Sequence, residues 1–120
     1  MDEKTVEALY NIFAMSNLRP KDSGVDGVVI WVSTGDFEGK RSKHGPRIKV
    51  ILGTKTSVDL LNSAPSVTLT SSPAILNGTL PPDIKKHVFV FIKLNLDVLL
   101  RYWNGDIGTK EMVDQIKAIK

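Results

Sequence analysis

Cysteine is absent from the 120-residue chain, and histidine occurs only at His44 and His87. The first absence excludes a disulfide framework and any cysteine-bearing zinc site. The second leaves too few ligands for a histidine-rich metal centre, so no metal and no cofactor are expected. No apolar run reaches membrane length. The densest, "HVFVFIKLNLDVLL", is broken by Lys93, Asn95 and Asp97. The opening "MDEKTVEALY" is acidic and lacks the basic-then-apolar layout of a signal peptide. A soluble, cytoplasmic protein without membrane contact is the expectation. Acidic residues are missing from one stretch in particular, "GKRSKHGPRIKV" at 39–50, where Lys40, Arg41, Lys43, Arg47 and Lys49 crowd around His44.

What is present argues for one folded domain. Apolar residues make up 42% of the chain, too many for disorder, and 120 residues bury one modest core. The formal charge of +3 is a mild bias. Its clustering at 39–50 matters more than its size.

The periodicities give an order of elements. Residues 2–16 read as a helix, with Val6, Leu9, Tyr10, Phe13 and Ala14 on one face and Asp2 and Glu3 in the first turn. Pro20 ends it, and "PKDSGVDG" is a turn-rich connector. "VVIWVS" is an unbroken β-branched and aromatic run, a strand buried on both faces. After the basic loop, "RIKVIL" alternates, with Ile48, Val50 and Leu52 on one face and Arg47, Lys49 and Ile51 on the other. A turn of helix fits Val58 to Leu61 before Pro65. "SVTLTS" and "AILNG" read as a strand pair, closed by the turn signal Asn77-Gly78.

From Leu80 to Trp103 the local pattern supports two readings. Val88, Val90, Ile92, Leu94 and Leu96 alternate as in a strand. Over a longer window Ile84, Val88, Phe91, Ile92, Val98, Leu99, Tyr102 and Trp103 keep helical spacing, interrupted by Asn95. Pro81-Pro82-Asp83 suits a helix start and Asn104-Gly105 a helix stop. A last short helix, capped by Thr109, would carry Met112, Val113, Ile116 and Ile119 on one face.

"GTLPPDIKKHVFVFIKLNLDVLLRYWN" resembles the C-terminal half of a small bacterial family called domain of unknown function 4160. The matching positions are Gly78, Leu80, Pro81, Leu99, Leu100 and Trp103, in ungapped register. "SVTLTSSPAILNG" and "HGPRIKV" are similar to its paired strands and its His-x-Pro-x-x-x-Val segment. The resemblance covers roughly residues 25–105 and tips residues 80–103 toward helix. It implies a setting in toxin–antitoxin modules, or in conflict between bacteria and phages or other mobile elements. Where the family carries two alternating histidines this chain has Arg47 and Lys49, which in their charged state ligate no metal.

The basic stretch has a bland reading and two functional ones. It is either a solvated turn, an anion site, or part of an RNA-cleaving centre. In an anion site Arg47 forks onto a phosphate, and Lys40, Arg41, Lys43, His44 and Lys49 add donors and charge. In the cleaving centre His44 is the base, its protonated form disfavoured by the surrounding cations. Trp31 and Phe37 are near enough in sequence to stack on a base, but a mid-strand Trp31 belongs in a core. His87, Tyr102 and Trp103 read as helix surface or packing. No glycine pattern matches a P-loop.

The expected fold is α+β, an N-terminal helix (1–20), a small mainly antiparallel sheet with the basic loop (25–77), and two C-terminal helices packed on one face (80–120). The leading functional expectation is a non-enzymatic binding protein for a phosphate-bearing small molecule or nucleic acid. The alternatives are an RNA-directed toxin or nuclease, and a module whose apolar helix faces bind a protein partner. Open sheet edges suggest a homo-oligomer.

Overall fold

The computed structural model describes residues 15–33, 45–53 and 63–119. Their elements are strand β1 (Met15–Leu18), the helical turn α1 (Pro20–Ser23), strands β2 (Val28–Ser33), β3 (Arg47–Leu52), β4 (Ser66–Thr68) and β5 (Ile75–Asn77), and helices α2 (Pro82–Trp103) and α3 (Thr109–Gln115). The strands form one antiparallel sheet in the order β1-β2-β3-β4-β5, each paired with its neighbour in sequence. This is an α+β fold with two C-terminal helices.

Register explains which side chains the helices cover. Ser16, Val32, Ile48 and Val67 form one row across the sheet, and Leu18, Ile30 and Val50 another. Strand side chains alternate between faces, so both rows point the same way. The apolar members of these rows are buried in one cluster with Val88, Phe91, Ile92, Leu99 and Tyr102 of α2 and Met112 of α3. The opposite face carries a smaller buried cluster of Val29, Trp31, Ile51 and Ala64. β2 is buried along its whole length, as its unbroken apolar run requires.

The ambiguous segment is helical. Pro82 occupies the first helical position, Asp83 the first turn, and Asn104 with left-handed Gly105 ends the element. A strand here would bury Val90 and Leu94; instead both are exposed, and the residues at helical spacing are in the core. Asn95 departs from helical geometry (φ −113°, ψ 15°) and is almost fully buried. Its amide donates to Phe91 O (3.1 Å) and Lys117 O (2.9 Å), and its Oδ1 accepts from Lys117 N–H (2.8 Å). The side chain that breaks the apolar face therefore pairs with the backbone of the C-terminal tail.

Expectations for the first strand and the last helix need correction. Met15 and Ser16 are not helical but lie in β1, because Ser16 and Leu18 face α2. Ser16 Oγ bonds Tyr102 Oη (2.9 Å) and Thr109 Oγ1 (3.2 Å), and the two partners bond each other (3.0 Å). The helix expected over residues 2–14 and the helical turn near Val58 to Leu61 lie outside the described residues. The last helix stops at Gln115, and Ile116 turns extended (ψ 136°). Asn95 takes up the tail at Lys117, and Ile119 N–H donates to Ser23 O (3.0 Å). Val113 is 39% exposed rather than core. Thr109 is the first helical residue, not the cap; Gly108 precedes it and its N–H donates to Glu111 Oε1 (3.2 Å). Leu52, on the face of Ile48 and Val50, is 49% exposed at the end of β3.

Candidate functional site

β3 sorts its side chains by alternation. Ile48 and Val50 enter the core, which leaves Arg47, Lys49 and Ile51 on the face away from α2. Both cations are half-buried on the sheet rather than carried on a projecting turn. Lys49 stands directly opposite Trp31 on one side and Ser66 on the other, and Arg47 stands opposite Thr68. Directly opposite residues keep their Cβ atoms about 5 Å apart. A cross-sheet row, Asn17–Trp31–Lys49–Ser66, thus sets Trp31 and Lys49 on neighbouring strands of one face. Of the six residues expected to hold the anion, Arg47 and Lys49 are brought together here; Lys40, Arg41, Lys43 and His44 lie outside the described residues.

Trp31 is buried with Val29, Ile51 and Ala64, as its mid-strand position suggests. Its Nε1–H finds no hydrogen-bond partner. A buried donor in that state costs about 1–3 kcal/mol.

At the end of β3, a cleft of about 180 Å³ is lined by Val50, Ile51 and Leu52 together with Ser63, Ala64, Pro65 and Thr79. Its far wall is held from several directions. Pro65 O accepts from Val50 N–H (3.0 Å). Asn77 Nδ2 donates to Ala64 O (3.3 Å), and Asn77 Oδ1 accepts from Ser66 N–H (3.0 Å). Gly78 follows with φ +74°, and a Cβ there would stand 3.2 Å from Pro65 Cγ. Asn77-Gly78 therefore does more than turn the chain: the asparagine clamps the wall and the glycine lets it close in.

The remaining polar features are structural. Arg101 bridges α2 to α3, donating from Nε to Asp97 Oδ2 (3.0 Å) and from Nη2 to Gln115 Oε1 (2.7 Å). His87 is exposed on α2. Among the described residues no three His, Asp or Glu side chains gather as a metal would need, and no helix is long and apolar enough to cross a membrane. Comparison with protein-family models, with curated proteins and with solved structures yields no match for this chain.

Proposed function

We propose that the protein binds a phosphate-bearing ligand, a nucleotide signal or a nucleic acid, without turning it over. The observation that carries this reading is the alignment of Arg47 and Lys49 on one face of β3, beside Trp31 and Ser66. A guanidinium supplies a planar fork of donors and an ammonium a compact charge, a pairing suited to phosphate oxygens. The sequence leads into this strand through Lys40, Arg41, Lys43 and His44, so the cation density rises toward the same end of β3. Binding in trans to a homo-oligomeric partner and sequestration of a signal in phage–bacteria conflict belong to the same proposal.

Thermal unfolding in the presence of mononucleotides, cyclic nucleotides and short RNA tests it. A ligand at a hundred times its Kd adds about 2.7 kcal/mol of stability, which raises Tm by several degrees. The rise is expected to shrink with salt and to vanish in Arg47→Ala. RNA cleavage that disappears in His44→Ala would instead support the nuclease alternative. A protein whose partner binding ignores both substitutions would support the interaction-module alternative.

A further inference from the structure

We infer that the outer face of α2 pairs two copies of this chain, antiparallel, about a twofold axis level with Ile92. Nothing on that face belongs to the proposed phosphate site. Asp83, His87, Val90, Leu94, Asp97 and Arg101 follow one another at steps of four, three, four, three and four residues. That spacing has the 3.5-residue period of a coiled-coil seam. The stripe turns away from the core, which Val88, Phe91, Ile92 and Leu99 enter. Val90 is 46% exposed and Leu94 48%, although both are large and apolar.

The stripe is complementary to itself when turned end for end. Val90 and Leu94 lie two residues either side of Ile92, His87 and Asp97 five, and Asp83 and Arg101 nine. An antiparallel pair therefore sets Val90 against Leu94 at the centre, then His87 against Asp97, then Asp83 against Arg101, each contact occurring twice. A parallel pair would set Asp97 against Asp97 and Arg101 against Arg101, where like charges repel. Within one chain Arg101 donates to Asp97 (3.0 Å) and to Gln115 (2.7 Å). A carboxylate accepts several hydrogen bonds and a guanidinium donates five, so each can take a second partner and keep the first. Asn95 departs from helical geometry between Leu94 and Asp97, yet Asp97 stays exposed beyond it. The apolar centre is short, and Lys93 beside the seam meets its own copy near the axis. The association therefore belongs to the weak, small-interface class.

Sedimentation equilibrium of the intact protein, from micromolar to millimolar concentration and without ligand, tests the inference. A reversible monomer–dimer equilibrium is expected. Leu94→Lys should weaken it by roughly tenfold or more, with little change in melting temperature, because the position is half exposed and lysine is a good helix former. His87→Glu and Asp97→Lys each bring like charges together and should weaken the dimer severalfold. The double variant restores an opposed pair and should recover most of the affinity. Lys93→Gln should tighten the dimer. Because the chain has no cysteine, oxidation of an equal mixture of Val90→Cys and Leu94→Cys reads the direction: disulfides joining position 90 to position 94 should outnumber those between like positions. A chain that is monomeric throughout, a dimer indifferent to Leu94→Lys, or a predominance of like-position disulfides would overturn the pairing. A monomer that Leu94→Lys strongly destabilises would overturn it in favour of a stripe packed on the chain's own residues.

Discussion

The two faces of the sheet are built on different terms. The face toward α2 is a continuous apolar layer in which Val32, Ile48 and Val67, and Leu18, Ile30 and Val50, align across strands against Phe91, Ile92 and Leu99. The other face mixes a small apolar cluster with two cations and a tryptophan N–H that has no partner among the described residues. Buried apolar contact is the main stabilisation of the first face, with the Ser16, Tyr102 and Thr109 hydroxyl bonds at its edge. The second carries polar groups that contribute little to folding and are costly unless satisfied. That asymmetry separates a face that makes the fold from the face on which phosphate binding is proposed.

Substitutions can break or sharpen the contrast, and the largest effect belongs to the helix-covered face. Phe91→Ala empties a fully buried position and should cost about 3–5 kcal/mol, read as a large drop in the denaturant midpoint. A loss below 1 kcal/mol would mean that this layer is not the principal core. Next comes Asn95→Ala, which leaves the backbone N–H and C=O of Lys117 without their side-chain partners. A loss of about 1–3 kcal/mol is expected, with faster amide exchange at Lys117 and Ile119. Unchanged exchange there would show that the tail is held by other contacts.

Away from that layer the stability effects should be smaller. Gly78→Ala imposes a side chain on a left-handed residue pressed against Pro65, for a loss of about 1 kcal/mol. Trp31→Phe removes the indole N–H while keeping a ring. Because that N–H makes no bond, the lost packing and the relieved burial oppose each other, and stability should change by less than about 1 kcal/mol. A loss above 2 kcal/mol in equilibrium unfolding would imply that the indole nitrogen has a partner in solution.

Much of the fold is legible in local pattern, and the exceptions share a cause. The unbroken run of β2, the alternation of β3 and the paired prolines that open α2 each act within a few residues. The exceptions depend on contacts across the chain. Met15–Leu18 is a strand because β2 offers it an edge and α2 a place for Ser16 and Leu18. Asn95 reads as a defect in an apolar stripe, yet its partner lies twenty-two residues away. The tail leaves the helix at Ile116 for the same reason. Of the candidate site, the shared face of Arg47, Lys49 and Ile51 follows from alternation alone. The cleft does not, since its far wall depends on the cross-strand bond from Val50 to Pro65 and on Asn77, whose dipeptide with Gly78 signals a turn and nothing more.

The most direct test follows backbone amide resonances while inorganic phosphate is titrated into the intact protein. Saturable shifts confined to Arg47–Ile51, Trp31 and Ser66, with the buried residues of α2 unmoved, are the predicted result. Shifts that never saturate, or that fall on α2 and leave β3 untouched, would contradict anion binding on the face that carries Arg47 and Lys49.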